Sequence, residues 1–260
     1  MLRKPIEDIV REEIETVRAR RVILDHLEDG LKTGTELREA IRRDMQSQEV
    51  KKKGRALSKR EAEKIEVTSP KLYHNTRKLE ELGIIISWKQ SQYRLFELDP
   101  RAVLPVRRAL GISKPLMYIT SLSNPEDQRP FVQWLVNNPH FNPKKLLVFV
   151  EATRWTRGVS RIMDRFIPDD AFRVWTTEWR EVPEEVTGGE EEIGQGSLQE
   201  TYEFVEDEIL KHIHAHNIVF DLTLGPTLIT LAMAKLAHEY STTAFQVSRY
   251  DIADTEVSYY

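Results

Sequence analysis

Hydrophobic residues near the start of the chain recur at helical spacing. Ile6, Val10 and Ile14 lie four residues apart, and a second apolar group before Gly30 consists of Val22, Ile23, Leu24 and Leu27. A period of three to four residues is typical of helices that bury one face. The pattern therefore predicts two consecutive amphipathic helices.

Two more helices and a hairpin are predicted between residues 33 and 98. The run Thr33-Gly34-Thr35-Glu36 has the spacing of a capping box. Ser69-Pro70 predicts another helix start, with Ser69 as N-cap and Pro70 at the first helical position, and Gly83 is placed to end that helix. Apolar positions then alternate on either side of Lys89-Gln90-Ser91-Gln92, which predicts a hairpin with a four-residue turn. Residues 46–66 are polar and basic, and predict an exposed helix or a mobile connector.

From residue 113 onward, short apolar runs alternate with helical patterns. The predicted strands are 116–121, 145–150, 172–177, 217–223 and 243–248, and the predicted helices are 129–137, 159–166, 198–214 and 227–240. Alternation at this spacing predicts a Rossmann-like, mostly parallel sheet flanked by helices. We therefore expect an α/β chain with an N-terminal α+β domain. Its predicted parts are a winged helix-turn-helix at 1–98, a helical connector at 99–112 and a Rossmann-like domain at 113–260.

Charge is divided unevenly between the two halves. The whole chain has a formal charge of −4. Residues 1–112 contain 25 Lys and Arg against 19 Asp and Glu, a net of +6, whereas residues 113–260 contain 13 against 23, a net of −10. A basic half joined to an acidic half indicates that only the first half binds a polyanion.

Several function classes are excluded by what the sequence lacks. It contains no cysteine, which excludes disulfides, thiolate zinc sites and cysteine nucleophiles and agrees with a cytoplasmic protein. It has neither a GxGxxG nor a Walker A motif, so we expect no NAD, P-loop nucleotide or other cofactor. His212 and His216 share a helical face without a carboxylate cluster, which favours exposed histidines over a metal site. No apolar run is long enough for a membrane span, and an acidic residue precedes any apolar run at the N-terminus, so no signal peptide is expected.

The helix after residue 68 carries the side chains expected of a DNA reader. Its apolar stripe leaves basic and amide side chains on or near the opposite face, and these donate to phosphates and base edges. The candidate DNA-binding residues are Ser69, Lys71, Tyr73, His74, Asn75, Arg77 and Lys78 in this helix, Lys89, Gln90, Gln92 and Arg94 in the hairpin, and Lys51, Lys52 and Lys53 in the basic segment.

Residues 68–85 resemble the recognition-helix-to-wing segment of archaeal and bacterial winged-helix regulators of the ArsR/PadR kind. The resemblance implies a transcription regulator that binds double-stranded DNA. Two alternatives stay open, because such charges also solvate a helix and winged helices also bind proteins.

The loops after the parallel strands are predicted to form a ligand site. Such loops meet at the carboxyl edge of a sheet. The candidate ligand-binding residues are Ser121, Ser123 and Asn124 after the first strand, Thr153 and Arg154 after the second, and Thr223, Leu224, Gly225, Pro226 and Thr227 after the fourth. Glycine lets a ligand approach the backbone, a helix start offers free N–H groups, and arginine binds phosphate. These features together favour an anionic ribose-phosphate ligand.

Two of these segments resemble those of the CRISPR-associated Rossmann-fold (CARF) sensors. They are residues 119–123 and the run from Asp221 to Thr227, which is similar to the family's Asp-x-Thr-Gly-Gly-Thr-Lys element. The run differs from that element, since Leu224 replaces the first glycine and no lysine follows Thr227. The resemblance implies a homodimer that binds a cyclic oligoadenylate across its two-fold axis.

A ligand-responsive regulator is the function expected of this combination. Two alternatives stay open. One is an enzyme that cleaves cyclic oligoadenylate, although no His/Asp pair is evident at the strand ends to act as its base. The other is a protein-interaction adaptor.

Overall fold

The computed structural model describes residues 4–123, 128–141, 143–152, 175–188, 196–248, 250 and 256–260. The chain divides into two compact units, Met1–Ile112 and Ser113–Tyr260. Among the described residues, no helix is both long and apolar enough to cross a membrane. In the same part of the chain, no group of three or more His, Asp or Glu side chains could hold a metal ion.

Six helices are described in the first unit. They are α1 (Ile6–Thr16), α2 (Arg18–Leu27), α3 (Gly34–Lys53), α4 (Lys59–Glu63), α5 (Ser69–Glu81) and α6 (Pro100–Leu110). The helical spacing at the start of the chain is confirmed, since Val10 and Ile14 are buried in α1 and Leu24 is buried in α2. Helix α1 packs against α2 and α6, and α2 also packs against α3 and α5.

The capping box at Thr33 is confirmed, and the predicted N-cap of α5 is wrong by one residue. The Thr33 hydroxyl accepts from the Glu36 N–H, and the Glu36 carboxylate accepts from the Thr33 N–H. Helix α5 has Thr68 as its N-cap and Ser69 as its first residue. The Ser69 hydroxyl instead accepts from the Arg38 guanidinium at 3.1 Å, a partner from another helix that local sequence does not reveal. In the basic segment, residues up to Lys53 are helical, as one of the two alternatives predicted.

A three-stranded antiparallel sheet completes the first unit. Its strands are β1 (Lys32–Thr33), β2 (Ile85–Gln90) and β3 (Tyr93–Leu98), in the order β1-β3-β2. The predicted four-residue turn is wrong, because Gln90 pairs with Tyr93 and leaves a two-residue turn. Lys89 and Gln90 belong to β2 but are exposed. Polar, exposed strand residues look like turn residues in the sequence, which explains the longer predicted turn.

The second unit is a mixed α/β structure with a mostly parallel six-stranded sheet flanked by helices, as predicted. Its strands are β4 (Leu116–Ser121), β5 (Lys145–Glu151), β6 (Thr176–Val182), β7 (Asn217–Asp221), β8 (Thr243–Val247) and β9 (Val257–Tyr259), in the order β6-β5-β4-β7-β8-β9. All neighbours are parallel except β8 and β9. The described α-helices are α7 (Gln128–Asn137), α8 (Glu184–Thr187), α9 (Leu198–Leu210) and α10 (Thr227–Glu239).

Three expectations for this unit need correction or fall outside the described residues. The strand predicted at 172–177 is β6, which begins at Thr176, because an edge strand carries Glu178 and Arg180 rather than a continuous apolar run. His212 is not fully exposed: its side chain keeps 16% of its accessibility beside the Lys145 ammonium and the Glu178 carboxylate. Burial, and then the charge of Lys145, lower the pKa of His212. The helix predicted at 159–166 lies outside the described residues.

The order of the strands puts a reversal point at β4. From β4 the chain adds β5 and β6 on one side and then β7 and β8 on the other. Parallel sheets bind ligands outside the carboxyl ends of the strands at such a point. An aromatic cluster supports this region from within the unit, formed by Tyr118, Phe131, Trp134, Phe141 and Phe245. The carboxyl ends of β4 and β7 are therefore held side by side above a packed core.

Candidate functional site

The loops that follow β4 and β7 touch each other at the carboxyl edge of the sheet. The Ser121 hydroxyl donates to the Leu224 carbonyl at 2.8 Å. Gly225 has a φ of +112°, and a Cβ added to it would overlap the Ser121 hydroxyl and lie 2.6 Å from the Ser121 Cβ. Glycine is therefore required at residue 225 by its backbone conformation and by the close approach of Ser121. We call this contact the β4–β7 loop contact.

A buried carboxylate at the end of β7 holds the start of the same loop. Asp221 is fully buried and accepts hydrogen bonds from the hydroxyls of Tyr118, Tyr250 and Thr223, and from the Thr223 N–H at 2.9 Å. Burial raises the pKa of Asp221, and the hydrogen bonds oppose that rise. Burial, and then the charge of Asp221, raise the pKa of Tyr118. The Asp221 carboxylate thus anchors the loop from inside the unit.

The predicted ligand residues of the β7–α10 loop differ in what their side chains do. The Thr223 hydroxyl donates to Asp221 and accepts from the Val247 N–H at 2.8 Å, so it is engaged inside the unit. Thr227 is exposed at the first position of α10. Pro226 is the N-cap of α10 and provides no side-chain cap, which leaves the first N–H groups to other partners.

The structure brings together part of the predicted ligand set. Ser121, Ser123, Thr223, Leu224, Gly225, Pro226 and Thr227 all lie at the carboxyl ends of β4 and β7. Asn124, Thr153 and Arg154 lie outside the described residues. Sequence reasoning missed Tyr118 and Tyr250, which hold Asp221. Tyr118 could have been found as an inward position of a buried strand, whereas no local pattern marks Tyr250.

The exposed face of α5 carries five of the seven DNA-binding residues predicted on this helix, with one correction. Ser69, Lys71, Tyr73, His74 and Arg77 are exposed, and Lys78 is partly buried. Asn75 is buried with 5% of its surface accessible. It accepts from the Arg20 guanidinium at 3.3 Å and donates to the Lys71 carbonyl at 2.8 Å.

The burial of Asn75 follows from its place on the helix. It lies three residues after Leu72 and four before Leu79, and residues at this spacing share one face. Both leucines are buried, so residue 75 belongs to the apolar stripe although it is polar. Asn75 is therefore a structural residue of the first unit.

Several of the predicted cations are ion-paired within the first unit. Arg77 lies 2.9 Å from the Glu81 carboxylate, and Lys53 lies 2.8 Å from that of Glu61. Arg94 in the hairpin donates to the carboxylate of Glu80 in α5 at 3.1 Å. This last pair ties the hairpin to the helix.

The remaining DNA candidates are exposed. Lys51 and Lys52 lie at the end of α3, and Lys89, Gln90 and Gln92 lie around the hairpin turn.

Comparisons with known proteins give likenesses at low identity. No protein-family model and no curated protein matches the chain. The solved structures that show some similarity include the following three. Csm6 of Enterococcus italicus, bound to cyclic hexa-2'-fluoro-hexa-dAMP, is 12% identical with a TM-score of 0.39, over 52% of this chain and 34% of that chain. Protein VC1899 from Vibrio cholerae is 15% identical with a TM-score of 0.37, over 51% and 30%. Can2 from Sulfobacillus thermosulfidooxidans, in complex with cyclic tetra-adenylate, is 14% identical with a TM-score of 0.35, over 54% and 36%. The chain spans about a third of the length of each of these proteins.

Proposed function

We propose that this chain is a ligand-responsive transcription regulator. In this proposal the second unit is a CARF-like sensor that binds an anionic nucleotide such as a cyclic oligoadenylate, and the first unit is a winged helix-turn-helix that binds duplex DNA. The β4–β7 loop contact carries the proposal, because it puts two loops rich in hydroxyls and backbone N–H groups where the strand order reverses.

The chemistry of the β4–β7 edge suits a phosphate-bearing ligand. Helix α10 begins there without a side-chain cap, and the N-terminus of a helix attracts anions. The space left by the missing side chain of Gly225 is filled by Ser121, so this glycine shapes the loop through that contact. The proposed site would also include Ser123 and Asn124 from the segment after β4 and Thr153 and Arg154 from the segment after β5, and the Arg154 guanidinium would bind a phosphate.

The chemistry of the first unit suits DNA. Helices α2, α3 and α5 followed by the β2–β3 hairpin have the element order of a winged helix. Lys71, His74 and Arg77 are exposed on α5, where they can reach base edges and phosphates in a major groove. The hairpin turn and the lysines at the end of α3 would contact the DNA backbone.

The two activities would be coupled by a population shift in a homodimer. A ligand bound across the dimer axis favours one arrangement of the two sensors. That arrangement sets the separation of the two α5 helices, and this separation decides whether both enter half-sites one helical turn apart. A protein that is monomeric by light scattering at micromolar concentration would contradict this part of the proposal.

DNA binding is tested with two variants. Arg77→Ala combined with Lys78→Ala should weaken duplex binding, and alanines at Lys51, Lys52 and Lys53 should reduce its salt dependence. Affinity is measured by gel shift over a salt series, with circular dichroism to verify folding. Folded variants that bind DNA like the wild type would refute the DNA-reading role.

Ligand binding is tested with labelled cyclic tetra-adenylate. Wild-type protein should bind it intact by calorimetry, and Arg154→Ala should weaken binding roughly ten- to a hundred-fold, since a charge-assisted hydrogen bond is lost. Arg157→Ala is the matched control, because it removes an arginine from the same segment outside the proposed set. Chromatography of the incubated ligand separates binding from breakdown, and breakdown would favour an enzyme.

A further inference from the structure

An open cavity of about 240 Å³ with a mixed polar and apolar lining lies within the first unit, beside the candidate recognition helix. It is formed where the first turns of α3 and α5 meet the β2–β3 turn. Its polar lining includes Thr35, Arg38, Ser69, Tyr73, Tyr93 and Arg94, and its apolar lining includes Leu72 and Phe96. Every lining residue belongs to the described part of the chain, and none of them is acidic. Of the two guanidinium groups in the lining, that of Arg94 is paired with the Glu80 carboxylate outside it, so the positive charge of the cavity comes from Arg38.

Arg38 is the cation of this cavity that is not neutralised. Its guanidinium donates to the hydroxyls of Ser69 at 3.1 Å and Thr35 at 3.5 Å, and it forms no ion pair with the described residues. By contrast, Arg42 on the same helix pairs with Glu39 at 2.8 Å, and Arg94 pairs with Glu80. A guanidinium has five N–H donors, so Arg38 keeps donors for an anion.

The mouth of the cavity suits a sugar-phosphate chain. Tyr73 and Tyr93 are 50% and 52% exposed, and both line the cavity. Their hydroxyls donate to phosphate oxygens, and their rings offer apolar contact to a deoxyribose. A free phosphate ion would use the arginine, but it would leave these rings without a partner.

We propose that this cavity holds a phosphodiester group of duplex DNA, and that Arg38 binds its oxygens. The inference rests on the proposed function and adds a site between the recognition helix and the hairpin. Ser69 aims the Arg38 guanidinium at the first turn of α5. A phosphate held there fixes the register of α5 on the duplex, because phosphate contacts orient a protein whose other side chains read the bases.

The test uses the full chain and a short labelled duplex, with binding followed by fluorescence anisotropy over a potassium chloride series. Arg38→Gln should bind roughly tenfold more weakly, and the slope of log affinity against log salt should fall in magnitude by about 0.9, the value of one phosphate contact. Arg42→Gln is the matched control, because it removes the same charge one turn further along α3 and outside the cavity. It should keep the wild-type slope. Arg38→Lys should retain most of the slope, since it keeps the charge.

A second measurement reads the cavity in the wild-type protein and uses a variant, the conservative Arg38→Lys, for assignment alone. The Arg38 Nε–H resonance, assigned by its loss in Arg38→Lys, should shift when duplex is added and not when inorganic phosphate is added at the same phosphate concentration. A shift with inorganic phosphate alone would overturn the proposal in favour of a free anion.

If the wild type binds duplex and folded Arg38→Gln keeps the wild-type slope, the site is refuted and the DNA-binding function stands. Failure of the wild type to bind any duplex would overturn both.

Discussion

Replacing Gly225 with alanine tests whether the β4–β7 loop contact is as close as the structure indicates. At a φ of +112°, a residue with a side chain is strained by about 1–3 kcal/mol. The added Cβ would also overlap the Ser121 hydroxyl, and overpacking of this kind costs a further 1–3 kcal/mol or so. The second unit should therefore lose about 2–6 kcal/mol of unfolding free energy.

The loss can be measured by urea unfolding of the full chain, followed by tryptophan fluorescence. Only Trp88 of the five tryptophans belongs to the first unit, so a Trp88→Phe background reports on the second unit alone. With a urea dependence of about 2 kcal/mol per molar, the midpoint should fall by roughly 1–3 M.

Two further variants separate backbone strain from steric overlap. Gly111 also has a positive φ, +74°, but an added Cβ there meets no atom within 4 Å. Gly111→Ala should therefore cost only the strain, about 1–2 kcal/mol. Ser121→Gly should recover part of the loss when it is combined with Gly225→Ala, a coupling that a double-mutant cycle measures. A wild-type midpoint for Gly225→Ala, or a cycle without coupling, would refute the reasoning.

Two buried polar groups give further predictions. Asp221→Asn should destabilise the second unit by about 1–3 kcal/mol, because the amide keeps only one accepting oxygen and puts an NH2 group where the carboxylate accepts from hydroxyl or N–H donors. Burial raises the folded-state pKa of Asp221. The stability that the Asp221 carboxyl group contributes is therefore full below the ordinary pKa of aspartate, and it is lost as the pH rises through the raised pKa. Urea unfolding over a pH series should show this decline in the wild type only, and parallel profiles would contradict it. Arg20→Ala removes the shared partner of Glu13 and Asn75 in a mostly buried position. In urea unfolding, it should lower the unfolding free energy of the first unit by roughly 3 kcal/mol. The exposed control Arg21→Ala should change it by less than about 0.5 kcal/mol, and equal losses in both variants would exclude a role for the buried pair.

Hydrophobic spacing predicted the helices well because each one buries a continuous stripe. Leu72 and Leu79 mark the stripe of α5, and both are buried as expected. The misplacement of Asn75 shows the limit of this reasoning. A polar residue inside an apolar stripe is predicted to be exposed unless its hydrogen-bond partner is known. The partner of Asn75 is Arg20, which lies on another helix.

Strand positions were predictable where both faces of a strand are buried. Central β5 is almost entirely apolar, and its apolar run predicts the strand correctly. Edge strand β6 carries charges, and its predicted start is four residues too early. The antiparallel β9 was not predicted, because three residues provide too little pattern to indicate a strand.

The candidate site was predictable to the level of loops but not of side chains. The rule that loops gather at the carboxyl edge of a parallel sheet was enough to expect Ser121 near Gly225. The bonds from Tyr118 and Tyr250 to Asp221 depend on which side chains of separate elements face each other. That information is absent from any one segment.

The two ends of helix α3 are held by different kinds of contact. Its first two turns bury Leu37 and Ile41 in the core, whereas the described contacts of its later turns are polar, as in the pair of Asp44 with Arg18 and that of Lys53 with Glu61. Exposed ion pairs are screened by salt, and buried apolar contacts are not. Amide hydrogen exchange along α3 should thus be slow to about Ile41 and faster beyond it, and added salt should accelerate exchange only in the later turns. The same salt weakens any contact of the terminal lysines with a polyanion. Higher ionic strength therefore both loosens this end of the helix and weakens its binding to a polyanion.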